Sequence, residues 1–210
     1  KDPKFIILFR KPIDRAYSHY LMSRKRNYEK LSFNLALQSE KYRLLNDDDL
    51  FSFSNHSYML RGNYSNHIRR CKKVFPNSKY LFIKFDDLIN KNRVNVVREI
   101  YKFINIDFNE SINFNVYKHI STNNRSKIIG DLLYNDSNIR RIIKRFVPSD
   151  YYRFKIMHYI DKLNSYRNLD NTKTIDYSII DRKFIDWNNN QSLLLKKETS
   201  LYLDDWIINE

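Results

Sequence analysis

The sequence predicts an α/β fold, on three observations. A five-residue apolar run, "FIILF" (Phe5 to Phe9), stops at Arg10-Lys11-Pro12 and gives way to a helical pattern. A second apolar run inside "FPNSKYLFIKF" (Phe75 to Phe85) follows an amphipathic helix. The chain of 210 residues, 42% hydrophobic and 15% aromatic, is long and apolar enough to bury a core around such strands.

The elements follow in order. Residues 4–9 are apolar apart from Lys4, the pattern of a parallel strand covered on both faces. Pro12 suits the first position of a helix, where a missing N–H costs nothing. Ile13, Ala16, Tyr17, Tyr20 and Leu21 then recur at helical spacing, with Asp14, Arg15 and Ser18 on the other side. A second helix is expected from about Ser32 to Leu45, and Asn46 to Tyr58 reads as a loop because its polar residues have no period. From Asn63 a helix places Tyr64, Ile68, Cys71 and Phe75 on one face and Arg69, Arg70, Lys72 and Lys73 on the other. Asp86-Asp87-Leu88 reads as a cap on the next helix, and Arg93 to Ile104 as a helix with Val94, Val97, Tyr101 and Ile104 inward. Segment 107–125 is polar, Asn-rich and aperiodic, the best place for a functional loop. Ser126–Tyr134, Ser137–Phe146 and Tyr151–Leu163 read as short basic amphipathic helices, Asn164 to Asp176 as a connection, and Ser178–Lys197 as a further helix. No internal repeat and no domain boundary stands out, so residues 1–210 are expected to form one domain.

Composition narrows the chemistry. Thirty-eight Lys and Arg against 24 Asp and Glu leave +14, a field that favours polyanionic partners. Cys71 is the only cysteine, which excludes an intrachain disulfide and a thiolate metal cluster. The two glycines, Gly62 and Gly130, exclude a Gly-rich phosphate loop within these residues. His19, His56, His67, His119 and His158 show no paired helical spacing of the zinc-protease kind, so no metal is expected. Asp47 and Asp49 form a D-x-D pair that could hold a divalent ion for a nucleotide sugar, although an acidic run in a polar loop is ordinarily solvated. The basic residues spread over many helical faces without a nucleic-acid-binding motif, so nucleic acid is not expected as a partner.

Arg10 and Ser18 carry the sharpest chemical signal. In an open α/β sheet, ligands sit at the carboxyl ends of strands, where helix N-termini offer free N–H groups and a positive dipole end. A guanidinium at such a strand end can grip a phosphate bidentately, and a serine on the polar face of the helix can add a hydroxyl donor. Spacing alone is also compatible with a solvated strand end and an ordinary helix-surface serine.

"FIILFRKPIDRAYSHYL" resembles the 3′-phosphate-binding segment of the sulfotransferases that use 3′-phosphoadenosine 5′-phosphosulfate (PAPS), an apolar strand followed by L-R-x-P-x-x-R-A-x-S-x-Y. Arg61 to Asp107 is similar to the family's block running from G-x-Y through F-P to E-D-L and F-L-G-L, with Asp86 in place of the usual Glu and Ile104-Asn105 where Leu-Gly is common. "LLLKKETSLYLDDWI" (Leu193 to Ile207) resembles the closing block of the bacterial and glycosaminoglycan branches. The resemblance implies a P-loop NTPase-like three-layer fold, with a central parallel sheet flanked by helices and a helix-rich C-terminal part. It implies transfer of a sulfuryl group from PAPS to a hydroxyl or amine, with a carbohydrate such as an acidic glycan as the expected acceptor. Arg10 and Ser18 would bind the donor's 3′-phosphate, and Arg125, Ser126 and Lys127 fall where the family has a basic loop against the same nucleotide. Tyr64 marks the second block and reads as a packing residue. Family members also carry an N-terminal strand, a P-K-x-G-T-[ST]-like loop for the 5′-phosphosulfate, and a catalytic base, all upstream of the point where this sequence begins. The expectation is therefore an N-terminally truncated domain whose catalytic residues lie before Lys1. A non-catalytic remnant of the fold and a basic nucleic-acid binder stand as the alternatives. No targeting or membrane-spanning segment is found in these residues, and the compartment stays open, cytoplasmic if the source is bacterial.

Overall fold

Strands β1 (Lys4–Phe9) and β2 (Lys79–Lys84) pair in parallel, from Lys4 opposite Lys79 to Phe9 opposite Lys84. Helix α1 (Pro12–Lys25) leaves the carboxyl end of β1, and α5 (Phe85–Ile89) leaves that of β2 with no intervening turn. This is an α/β arrangement, described here from a computed structural model over residues 2–47, 50–89, 93–113, 123–134, 144–147, 149–166 and 175–209. Within those residues the remaining elements are α2 (Phe33–Asn46), α3 (Phe51–Asn55), α4 (Tyr64–Val74), α6 (Arg93–Ile104), β3 (Asn123–Asn124), α7 (Lys127–Tyr134), α8 (Asp150–Asn164), β4 (Ser165–Tyr166) and α9 (Arg182–Thr199). The chain packs as two compact units, the first made of Lys1–Ala16, Tyr58–Tyr117 and Tyr177–Glu210, the second of Tyr17–Ser57 and Lys118–Asp176.

The first unit is built around the β1–β2 pair. Phe9, Ile68, Leu195, Leu203 and Trp206 form one buried cluster, with Ile7, Tyr64, Phe82 and Leu201 packed against it. Phe9 meets Tyr64 edge-on at 5.1 Å and Phe82 at 5.8 Å between ring centres, so strand, neighbouring strand and α4 share one aromatic contact. Burial of β1 is uneven. Phe9 is buried, whereas Leu8 on the opposite face is 42% exposed, so the expectation of a strand covered on both faces does not hold along its length.

One residue of α9 fixes the start of α1. Asn188, fully buried, accepts a 3.2 Å hydrogen bond from the backbone N–H of Ile13 and donates one of 2.9 Å to the carbonyl of Trp206. Ile13 lies in the first turn, where N–H groups have no partner within the helix, so Asn188 serves as a cap delivered from 175 residues away. Beside it, Trp187 lies so close over Gly62 that a Cβ there would stand 2.9 Å from the indole. A side chain at that position would force the ring or the 3₁₀ turn Leu60–Gly62 to move.

In the second unit a buried carboxylate orders the turn after α1. Glu29 accepts hydrogen bonds from the backbone N–H groups of Lys30 and Leu31, each 2.9 Å long, and is ion-paired with Arg43 of α2. The Tyr20 hydroxyl reaches the carbonyl of Leu31 at 3.0 Å and the Ser23 hydroxyl that of Asn55 at 2.7 Å. The stretch Asn46 to Tyr58, expected as a loop, contains α3. Its inward face is polar, with the Ser52 hydroxyl 2.9 Å from His56 Nδ1 and His56 Nε2 3.1 Å from the carbonyl of Tyr28. A helix buried through hydrogen bonds leaves no apolar period to read. The expected inward face of α1 holds at Ile13, Ala16 and Tyr20 and widens to His19 and Ser23, while Leu21 is 42% exposed; on α6, Val96 is buried while Val94 is 41% exposed. Most of the Ser137–Phe146 stretch lies outside the described residues.

Asn188→Ala should destabilise the protein by about 2–6 kcal/mol in urea unfolding, because two buried backbone groups lose partners at roughly 1–3 kcal/mol each. A loss below about 1 kcal/mol would show that neither bond matters to the fold.

Candidate functional site

The chain direction of a parallel strand pair brings Arg10 and the Phe85-Asp86 step to the same edge, because Phe9 and Lys84 end their strands opposite one another. Arg10 follows Phe9, and its guanidinium carbon stands 5.7 Å from the centre of the Phe85 ring. That is within range of a cation–π contact, which holds a planar cation without consuming its N–H donors. The α1 N-terminus opens next to it. Lys11 takes the N-cap position, its carbonyl accepting from the N–H of Arg15 at 2.9 Å, and its ammonium sits 5.2 Å from the centre of the Tyr177 ring.

Tyr64, at the first position of α4, accepts at its hydroxyl oxygen a hydrogen bond from the backbone N–H of Arg10. Burial pushes that hydroxyl up to about 12, against the lowering influence of Arg15 and of Arg10 with its backbone bond. Tyr64 therefore belongs to the core through its ring and to the Arg10 edge through its oxygen, where the sequence pattern shows only the ring.

Acidic groups also reach this edge. Asp86, in the first turn of α5, is shifted upward by desolvation, opposed by Arg10 and Lys84 and reinforced by Asp14 and Asp205. Helix α5 starts directly from β2, so Asp86 and Asp87 lie inside its first turn rather than preceding it as a cap. Lys84 is ion-paired with Asp205 at 2.7 Å, and Asp14 accepts a 2.7 Å hydrogen bond from Tyr177. Desolvation first, and then that bond to Asp14, raise the Tyr177 hydroxyl well above the usual tyrosine range. The edge thus mixes four cations (Arg10, Lys11, Arg15, Lys84) with three carboxylates (Asp14, Asp86, Asp205), of which Asp205 is neutralised by Lys84.

The other expected residues lie in the second unit. Ser18 is exposed on α1, past the unit boundary that follows Ala16. Arg125 is exposed, and its backbone N–H donates to the carbonyl of Asn164 at 2.7 Å. Ser126 is held on both sides by the Asn164 amide, its N–H donating to Oδ1 at 2.8 Å and its carbonyl accepting from Nδ2 at 3.0 Å. The Ser126 hydroxyl accepts from the N–H of Ile129 at 3.4 Å, a weak cap on α7, so that oxygen already has a structural task. Lys127 opens α7, and its side chain lies outside the described residues. The same unit holds a cavity of about 570 Å³ lined by Arg24, Lys25, Lys30, Glu29, Asn124 and Tyr166 among others. Of the D-x-D pair, Asp47 accepts from the Ser52 hydroxyl and Asp49 lies outside the described residues. Among the described residues no group of three His, Cys, Asp or Glu side chains converges as metal ligands would, and no helix is long and apolar enough to cross a membrane.

Residues Asp14, Phe85, Lys84, Tyr177 and Asn188 were not singled out from the sequence as members of this edge. Asp14 and Lys84 adjoin expected elements and were within reach of a register argument. Tyr177 and Asn188 arrive from the far end of the chain, and no local spacing marks them.

A family described as the sulfotransferase domain matches residues 1–131, a span that contains Arg10, Ser18, Arg125, Ser126 and Lys127. Among solved structures, the crystal structure of a sulfotransferase from Alicyclobacillus acidocaldarius is similar at 23% identity and a TM-score of 0.46, over 62% of this chain and 48% of that one. The chain therefore spans about half the length of that protein. No curated protein matches the chain.

Stability should fall as pH rises through the alkaline range. Tyr64 ionises near 10 in an unfolded chain and near 12 in the folded one, so its contribution is complete below pH 10 and is lost between pH 10 and 12. In Tyr64→Phe the drop in urea midpoint between those pH values should be visibly shallower. An unchanged slope would place the effect on other groups.

Proposed function

This chain belongs to the sulfotransferase domain family, and on that premise we propose that it serves transfer of a sulfuryl group from PAPS to a hydroxyl or amine of a carbohydrate acceptor. The observation that supports the donor reading best is the Arg10 edge. A guanidinium at the carboxyl end of a parallel strand, backed by the Phe85 ring and next to the positive dipole end of α1, supplies the charge and the bidentate donors a terminal phosphate needs. The residues present fit that group.

When bound, PAPS supplies an activated sulfuryl group on a phosphosulfate bond, with adenosine 3′,5′-bisphosphate as the leaving half. The tasks of this chain are binding and orientation. Arg10 grips the 3′-phosphate with its guanidinium, while the Tyr64 hydroxyl and the Phe85 ring hold the Arg10 backbone and side chain in place. Lys11 adds positive charge at the same helix end. Ser18 is assigned as a second phosphate donor from its place in the segment, and Arg125, Ser126 and Lys127 as contacts to the nucleotide, with Arg125 acting by charge and Ser126 by donating its hydroxyl hydrogen, since Asn164 takes its backbone N–H and carbonyl. The excess of +14 favours an acidic glycan among carbohydrate acceptors, since a positive field concentrates anionic substrates.

The test is nucleotide binding. Arg10→Ala should weaken adenosine 3′,5′-bisphosphate by about 1.5–3 kcal/mol, the range for hydrogen bonds to a charged group, and adenosine 5′-monophosphate far less. Equal losses for both nucleotides in titration calorimetry would remove the 3′-phosphate from Arg10.

A further inference from the structure

Asp14 stands where an anion site can least use a carboxylate. It is the third residue of α1, at the dipole end that attracts negative charge, where Pro12 has no N–H and Ile13 N–H is already taken by Asn188. A carboxylate there competes with a phosphate for that dipole end and for the Arg10 guanidinium. Arg10 and Asp14 each act electrostatically on Asp86, and each acts on Tyr177, so they share one neighbourhood. The carboxylate is nevertheless engaged elsewhere. Asp14 Oδ1 accepts the 2.7 Å hydrogen bond of the Tyr177 hydroxyl, brought in by the 3₁₀ turn Tyr177–Ile179 from 163 residues further along the chain. The face of the same ring carries Lys11.

We infer that Tyr177 is a positioning residue of the phosphate site: its hydroxyl retains the Asp14 carboxylate, so that Arg10 stays open to an incoming anion. The inference rests on the assignment of Arg10 to a phosphate and adds a residue that never touches the ligand. Without the phenol hydroxyl, the carboxylate can turn to Arg10 or back to the N-cap N–H, as an acid at the third helical position commonly does. Binding an anion then requires that contact to be broken first. Asp14→Asn removes the competitor, so it should cancel the effect of losing the hydroxyl.

The experiment is a cycle of Tyr177→Phe, Asp14→Asn and the double variant in the full chain, read by titration with adenosine 3′,5′-bisphosphate and by the Nε–H resonance of Arg10 without ligand. Tyr177→Phe should raise Kd about fivefold, the factor for breaking one partly exposed ion pair, and should shift the Arg10 resonance. The double variant should return both to the wild-type value or beyond. An unchanged Kd in Tyr177→Phe, or an equal loss in the double variant, overturns the inference and leaves Tyr177 a packing residue. If wild-type protein does not bind the nucleotide, the donor assignment itself fails. The resonance then decides alone: a shift in Tyr177→Phe reversed by Asp14→Asn supports the restraint on Asp14, and no shift rejects it.

Discussion

The hydrogen bond from the backbone of Ile13 to Asn188 is the constraint on which the rest of this edge depends. A helix that begins within three residues of a strand end cannot satisfy its first N–H groups from its own chain, and burial at that point would leave them orphaned. Asn188 resolves this with one amide, taking Ile13 N–H on one side and giving to the Trp206 carbonyl on the other. The same bond ties α1 to α9 and to the segment that carries Leu203 and Trp206 into the core beside Phe9. Helix start, strand end and core are therefore one mechanical unit, and Arg10 is the residue between them.

Arg10 is placed by tethers rather than by charge pairing. Its backbone is bonded to Tyr64, its side chain lies by Phe85, and of the carboxylates at this edge Asp205 is paired with Lys84, Asp14 is bonded to Tyr177 and Asp86 is partly desolvated. A site meant to bind an anion gains from this distribution. An arginine locked in a good ion pair would have to exchange one carboxylate for another anion at little net gain, whereas one resting on an aromatic face keeps its fork of donors ready.

Much of this was legible in the sequence because it is local. The abrupt change from apolar run to Arg-Lys-Pro marks both the end of β1 and the start of α1, since a strand ends and a proline can begin a helix within the same three residues. The β2 run and the Tyr64 stripe are similarly periodic. What escaped is non-local or polar. α3 buries Ser52 and His56 through hydrogen bonds and so carries no hydrophobic period. The inward face of α6 was displaced because "RVNVVREI" offers two apolar rows, and packing selects the one through Val96. Asn188 sits in an Asn-rich run, "WNNNQ", whose composition suggests a solvated surface, and only the tertiary fold reveals that its first asparagine is fully buried.

That contrast explains why the two halves of the expected phosphate site differ in what the structure adds to them. Arg10 gains neighbours that no spacing argument reaches, all within one compact unit: Tyr64 from α4, Phe85 and Asp86 from α5, Tyr177 from a 3₁₀ turn. Ser18 gains none of this kind, being an exposed residue on a continuous helix, so its assignment still rests on the motif. Ser126 shows a third outcome, a residue type chosen by backbone needs, because a serine before α7 caps the helix whether or not a nucleotide comes near. Motif matching treats the three alike. Physical context separates a residue held by side chains from several elements, as Arg10 is, from one the fold would require in any case.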